Sequence, residues 1–425
     1  MTLNNTSKNY KKQDITVDQE EMPTTSPVQL YLFDCHDYIK PVEIPNNIYS
    51  VKLPCYKKIK IATDIILYNL PQDIYDKIRA TPKTGRPGLS TYSAFCIQVY
   101  FSLFNKDTMR ECVCDVRDNP LLREAMEIPN NITIHESTVS KKCSEILNFV
   151  NMKEAINKFY QDNKISTTIE HLSIDSTIVE AREHSYNHMS FSEYQELKKQ
   201  KMILKLIDIL QKSFNLKEKR HRRTKQQKKL DDLQESVMKM IEALYGKQED
   251  LLKDINRECA WTSKLNSKGR LAQFRGYKIH ALCDDYGVIV AYEITGANVN
   301  DQRLFVPLTR ACPVDYKYVL ADKGYFNQFN ELYEENRNHI AIIDKKNTDK
   351  KEKDDNSNKL TPEEYEHYKH RTKIERAFGE MKECFFSKDC HLQGKRLKFQ
   401  FEISLFLYNV KRLQEVKAKQ LANVA

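Results

Sequence analysis

The sequence predicts a mixed α/β domain that carries a helical insertion and follows an all-α region. Three observations lead there. β-Rich, alternating runs occur at "LSIDSTIV" (172–179) and through "GYKIHALCDDYGVIVAYEITG" (276–296). After residue 300, helix-like and strand-like stretches alternate, as they do when helices pack on a sheet. From 56 to 150, apolar residues recur at helical spacing and no strand pattern interrupts them.

Composition bounds the function. The chain has 425 residues, 40% of them hydrophobic, and a net charge of +9. Such a charge permits a polyanionic partner without specifying one. No apolar run approaches the roughly 18 residues that span a bilayer. The first residues, "MTLNNTSKNYKKQDITVDQEE", hold no apolar core of a secretory signal. These two features predict a cytoplasmic protein with no membrane partner. The 11 cysteines are odd in number and scattered, which predicts reduced thiols. His184 and His188 stand at i, i+4, a helical zinc spacing, but no third ligand lies near them in sequence.

Residues 1–55 read as a polar N-terminal arm with one apolar patch, "PVQLYLF". Residues 56–150 form the all-α region. "SAFCIQVYFSLF" is apolar on every face and predicts a buried helix. "DTMRECVCDVRDNPLLREAM" is helical with a break at Pro120. "HESTVSKKCSEIL" reads as a capped helix starting near Ser137. A short helix, a turn and a helix opening with hydroxyls, Lys141 and Lys142 suggest a helix-turn-helix, with those groups suited to phosphates. A plain bundle with surface lysines is the alternative.

Residues 151–418 make the α/β domain. Its first strand holds Asp175, although sheets disfavour aspartate; the alternative is a solubility charge on an edge strand. Amphipathic helices follow at 190–255, read as an antiparallel hairpin inserted after the strand. Its tip, "KEKRHRRTKQQKK", includes Arg220, Arg222 and Arg223 and is either a solvated turn or a non-specific DNA clamp. Two strands then pair through the turn Asp285-Tyr286-Gly287. "DQRLFVPLTRAC" is a helix with Asn300 or Asp301 as cap. "KYVLADKGY" is a short buried strand ending at Asp322, "QFNELYEENRN" a helix and "HIAIIDK" a strand. Residues 345–359 read as a charged flexible loop. Thr361, Pro362 and Glu364 then form the start of a helix with a capping box. A final amphipathic helix, "KFQFEISLFLYNVKRLQEV", completes the domain.

The helix at 368–383, "YKHRTKIERAFGEMKE", poses the chemical question. Tyr368, Arg371, Glu375 and Lys382 fall within roughly 60° of one another on a helical wheel. A stripe of a phenol, two cations and a carboxylate is not a core stripe; it is a solvated face or a site. If the strands of Asp175 and Asp322 are neighbours, their carboxylates converge, and this helix can lay Glu375 over them. Converging carboxylates repel unless a cation neutralises them. Hard oxygen ligands select Mg²⁺ or Mn²⁺, and two such ions can act on both oxygens of a phosphoryl displacement. Arg371, Lys382 and Tyr368 would then hold phosphate oxygens.

These motifs resemble the DDE transposases of bacterial and archaeal insertion sequences, in the group with a Y-R-E-K signature. Tyr368, Arg371, Glu375 and Lys382 match Y-x2-R-x3-E-x6-K at every spacing. "LSIDSTIV" and "VLADKGYF" look like that family's first and second acidic motifs, and the resemblance extends over roughly residues 60–415. It implies a ribonuclease-H-like catalytic domain preceded by an all-α DNA-binding domain. The implied activity is divalent-metal strand transfer at the terminal inverted repeats of an element, with double-stranded DNA as partner and a homodimer in the synaptic complex. Asp175, Asp322 and Glu375 would be the metal ligands, for two ions of Mg²⁺ or Mn²⁺. Tyr368, Arg371 and Lys382 would contact terminal DNA. Some members insert β-rich sequence between the second aspartate and the glutamate; here those residues are 53 apart and the long insertion is helical and earlier. A DNA-binding relic acting as repressor, or a nuclease without strand transfer, are the rival readings.

Overall fold

The structure is a computed structural model that describes residues 53–80, 88–166, 168–181, 251–253, 255–265, 270–344 and 360–424. The N-terminal arm up to residue 52, the insertion read at 190–255 up to residue 250, with Arg220, Arg222 and Arg223, the histidine pair at 184 and 188, and the loop 345–359 lie outside the described residues.

Helices lead: α1 (Cys55–Tyr68), α2 (Gln72–Arg79), α3 (Thr91–Leu103), α4 (Met109–Asp118), α5 (Pro120–Ala125), α6 (Glu136–Ile146) and α7 (Met152–Asn163). The predicted buried helix is α3, whose residues Tyr92 to Leu103 are all buried. Pro120 breaks the next segment as read. Asn119 ends α4 and caps α5 by accepting from the amides of Leu121 and Leu122, with Pro120 in the first turn. The serine cap predicted for α6 is not formed. His135 takes that position without a side-chain cap, and Ser137 lies inside the helix. Residues 126–135 separate α5 from α6, and Arg123 fastens them by donating to the carbonyls of Pro129 and Ile132.

The strands are β1 (Thr168–Glu180), β2 (Ala260–Leu265), β3 (Leu271–Cys283), β4 (Ile289–Gly296), β5 (Asp315–Ala321) and β6 (Ile340–Ile343). They form one six-stranded sheet in the order β2-β3-β1-β5-β6, with β4 also on β3. β3 is antiparallel to β1, β2 and β4, whereas β5 is parallel to β1 and β6. The sequence reading missed β2. "AWTSKL" is short and carries polar residues, and its pairing with the outer half of β3 is a long-range event. The remaining helices are α8 (Phe305–Arg310), behind a 3-10 turn at Asp301–Leu304, then α9 (Gln328–Glu335), α10 (Pro362–Tyr368), α11 (Thr372–Cys384) and α12 (Gly394–Val424). A 3-10 turn at Lys369–Arg371 joins α10 to α11. The capping box of Thr361 and Glu364 forms as predicted.

The final helix departs from its amphipathic reading. Around Phe401, Ile403, Phe406 and Tyr408, α12 is buried on every side. Its polar residues there are buried too, and each has a partner. Gln400 donates to the Gln98 carbonyl at 2.9 Å, Ser404 meets Ser102 at 2.8 Å, and Asn409 takes both backbone groups of Ile289 at 3.0 and 2.8 Å. Those contacts lock α12 between α3 and β4. This stretch is internal packing.

One glycine is fixed by close approach. At Gly276, opposite Glu180 on β1 and Ala260 on β2, an added Cβ would lie 2.0 Å from the Val179 carbonyl oxygen. Gly276→Ala must displace β1 backbone, and an overpacked site of this kind costs about 2–3 kcal/mol. Urea unfolding of the variant checks this; wild-type stability would place the strands farther apart than described.

Candidate active site

Asp175 sits in mid-β1, where β1 runs between β3 and β5. Its neighbours in register are Ala281 on β3 and, through Ile174, Ala321 at the end of β5. Asp322 is the next residue after that strand. The two aspartates therefore meet where β5 stops and β1 continues, the neighbour relation on which the sequence argument depended. The Asp322 carboxylate accepts from the Gly324 amide at 2.8 Å. Asp175 accepts from the Ser176 amide at 2.7 Å. Burial pushes the Asp175 carboxyl up to about 6, with Asp322 and Glu375 adding to the rise, against the Ser176 amide and Arg371.

Glu375 arrives on α11. Arg371 at the end of the 3-10 turn bridges the two carboxylates, donating to Asp175 at 3.3 Å and to Glu375 at 2.5 Å. The predicted single helix is thus three segments, but all keep right-handed helical backbone, so residues four apart still face one another. Lys382 reaches β1, donating to the Thr177 hydroxyl and the Ile178 carbonyl, both at 2.7 Å. Burial, then Lys388, depresses this ammonium to about 8. Tyr368 departs from the reading of a purely polar stripe. Its ring packs on the cluster of Tyr318, Leu320 and Ile342, and the Arg371 guanidinium lies 5.6 Å from its centre. Lys141 is exposed, while Lys142 is paired with Glu145 at 2.8 Å.

A polar cluster that the sequence reading missed pins this helical rod to β1. His171 is buried and meets Asp285 at 3.1 Å through Nδ1 and His367 at 2.8 Å through Nε2, and it stacks on His370. Lys373 donates to Asp285 at 3.1 Å. Burial acts to raise the Asp285 carboxyl, but hydrogen bonds from His171, with the Lys373 ammonium, hold it well below the usual range. In sequence these residues are far apart and of ordinary types, so no spacing signals them.

Among the described residues, two groups bring three metal-ligating atoms within 4.8 Å of one another: Glu170, His171 and His367, and His171, Asp285 and His370. In the second, Lys373 already supplies a cation to Asp285. Asp175, Asp322 and Glu375 are not among these groups, and the Arg371 guanidinium bridges Asp175 and Glu375. Their chemistry nevertheless fits a hard divalent cation: all donors are carboxylate oxygens, and Asp175 is held in a setting that disfavours its own charge.

A second missed residue is Asp301. Sequence reading offered it as a helix cap, but Asn300 does the capping, accepting from the Gln302 amide at 3.2 Å. The Asp301 carboxylate instead accepts from the Ser176 hydroxyl at 2.9 Å and the Lys278 ammonium at 3.2 Å.

Among the described residues, no helix is long and apolar enough to cross a membrane, and the cysteines there are free. Comparison with curated proteins and with solved structures finds no match. The model of one family, described as "Transposase DDE domain", matches residues 166–410, which span β1 through most of α12 and contain Asp175, Asp322 and Glu375. With more than half of the chain inside that match, and the two aspartates side by side beneath the helix of Glu375, the protein belongs to the DDE transposase family.

Proposed function

We propose that this chain is the transposase of an insertion sequence: it binds the terminal inverted repeats of its element, cuts at their ends and joins them to target DNA. The observation that carries this is the parallel pairing of β1 with β5, which sets Asp175 beside Asp322, with Glu375 tied to Asp175 through Arg371. Asp175, Asp322 and Glu375 would hold Mg²⁺ or Mn²⁺, two ions per site. Bound there, the ions supply activation of an attacking oxygen and stabilisation of a leaving one.

The protein's own groups do the rest. In the first step water attacks a terminal phosphodiester, a P–O bond to water forms, the P–O3′ bond breaks and a 3′-hydroxyl leaves. In the second that hydroxyl attacks target phosphate and displaces a target 3′-oxygen, so bonds balance without an external energy source. Arg371 offers a planar fork to two anionic groups at once, and Lys382 a desolvated ammonium; both suit terminal phosphates. Tyr368, with the Arg371 guanidinium 5.6 Å from its ring centre, would contact terminal DNA beside it. The all-α region 56–150, with Lys141 and Lys142, and the basic run with Arg220, Arg222 and Arg223 are assigned to flanking double-stranded DNA. A homodimer would hold the two ends in a synaptic complex. The site of action is the nucleoid in the cytoplasm.

The test is a cleavage and joining assay with purified protein on the ends that flank its own gene, with Mg²⁺ and with EDTA. Metal-dependent nicking followed by joined products supports the reading. Cutting without joining identifies a nuclease, and specific binding without cutting a DNA-binding relic that acts as a repressor; either result overturns it.

A further inference from the structure

We propose that Asp301 is a fourth carboxylate of the catalytic metal centre, delivered from the sheet face opposite Glu375. The inference rests on the metal-dependent reading above.

Strand alternation places it. Ser173 and Thr177 of β1 meet the rod that bears Glu375, through the His370 carbonyl and Lys382, so Asp175 between them faces the same way. Ser176 points to the other face, and there its hydroxyl donates to Asp301 at 2.9 Å. Lys278 donates to the same oxygen, Oδ1, at 3.2 Å while also holding the Val299 carbonyl at 2.9 Å. His280 Nδ1 lies 3.3 Å from that oxygen too, on a ring that burial keeps neutral. Oδ1 is therefore anchored from several sides.

The second oxygen faces elsewhere. A Cβ added at Gly324 would lie 3.4 Å from Asp301 Oδ2 and 2.8 Å from Asp322 Oδ1. Those carboxylates thus look onto one small volume, which glycine leaves open. A structural ion pair between Asp301 and Lys278 gives no reason to turn Oδ2 toward Asp322, where like charges repel. β1 runs on past the end of β5, so this notch is open to groups from both sheet faces.

A buried phenol marks the same place. Tyr325 is fully buried, and its hydroxyl has no partner of normal hydrogen-bond geometry, with the Ser176 side chain beside it. Burial, with the charges of Asp301, Asp175 and Asp322 around it, keeps the phenol protonated. A buried donor without an acceptor is unfavourable, and a metal-bound water or phosphate oxygen among these carboxylates would satisfy it. Asp175, Asp301, Asp322 and Glu375 face Lys278 and Arg371, a surplus of negative charge that a divalent cation removes.

The experiment measures Mn²⁺ binding to the full-length protein, without DNA, by electron paramagnetic resonance of the free ion, with melting in EDTA alongside. Asp301→Asn and Asp322→Asn are each expected to weaken Mn²⁺ binding about tenfold or more, with Asp301→Asn still folded in EDTA. Wild-type affinity in Asp301→Asn, with loss in Asp322→Asn, would reduce Asp301 to a positioning ion pair and overturn the inference. Wild-type affinity in both would remove the metal-centre reading itself. Should Asp301→Asn fail to fold, Asp301→Glu keeps the charge but shifts the carboxylate by one methylene; weaker binding supports the inference and unchanged binding overturns it.

Discussion

Asp322→Asn is expected to lower end cleavage by roughly 10³-fold while leaving affinity for the element ends within about threefold of wild type. Asparagine keeps the size of the side chain and an oxygen that can accept from the Gly324 amide, so the turn after β5 survives. Only the charge is lost, and charge is what a divalent cation bound here would require of this position. Asp175→Asn and Glu375→Gln belong to the same series. The check is cleavage of labelled ends in Mg²⁺ beside a gel-shift titration; any member that cuts at the normal rate is not a metal ligand. Asp175→Asn carries a second readout. Because the folded-state carboxyl is raised from 3.8 to about 6, the native state binds more protons than the unfolded chain between those values. Stability therefore falls as pH rises through that window, and the loss persists at neutral pH. Asp175→Asn removes it, so in EDTA at pH 7.5 this variant should melt above wild type, with the difference closing near pH 4. An inactive variant that melts higher has lost chemistry and kept its fold.

Arg371→Ala is expected to cost roughly 10²-fold in cleavage, and Arg371→Lys to recover little of it. The guanidinium reaches Asp175 and Glu375 with different nitrogens, and a single ammonium cannot reproduce that fork. Removing it also takes away a cation that holds the Asp175 carboxyl down. Since metal binding needs the ionised carboxylate, Mn²⁺ affinity in wild type should climb with pH up to about 6 and then level. In Arg371→Ala that climb should extend to higher pH. Equal cleavage and an unmoved Mn²⁺ profile in Arg371→Ala would leave Arg371 as a surface charge.

Much of the site was legible because its residues break local rules. Asp175 is a carboxylate in a strand, and Tyr368, Arg371, Glu375 and Lys382 gather a phenol, two cations and a carboxylate on one stripe of a helical rod whose core face is Ile374, Ala377, Phe378 and Met381. Such departures stand out in one dimension. Some of the turn and cap chemistry was equally readable: Gly287 adopts a positive φ in the β3–β4 turn, and Thr361 with Glu364 closes its box, whereas the serine cap expected for α6 does not form. Errors came where local pattern and burial part ways. α12 reads as amphipathic because Gln400, Ser404 and Asn409 are polar, yet each is buried with a partner supplied by another part of the chain. β2 has little apolar content of its own and is a strand because β3 offers it an edge.

By itself the sequence determined the α/β character of the described residues from 168 onward, the type of most elements there and which carboxylates and cations to look for as a site. Those follow from near-neighbour physics: side-chain period, capping and the steric limits of Gly and Pro. The tertiary structure decided which carboxylates are neighbours. β1 pairs in parallel with β5 across more than a hundred residues of intervening chain, and that register sets Asp175 beside Asp322. It also decided that Arg371 stands between Asp175 and Glu375, that His171, Asp285 and Lys373 pin the rod, and that Asp301 comes to the notch from the other face. Contacts of that kind depend on strand order and crossover, and no spacing along the chain encodes them.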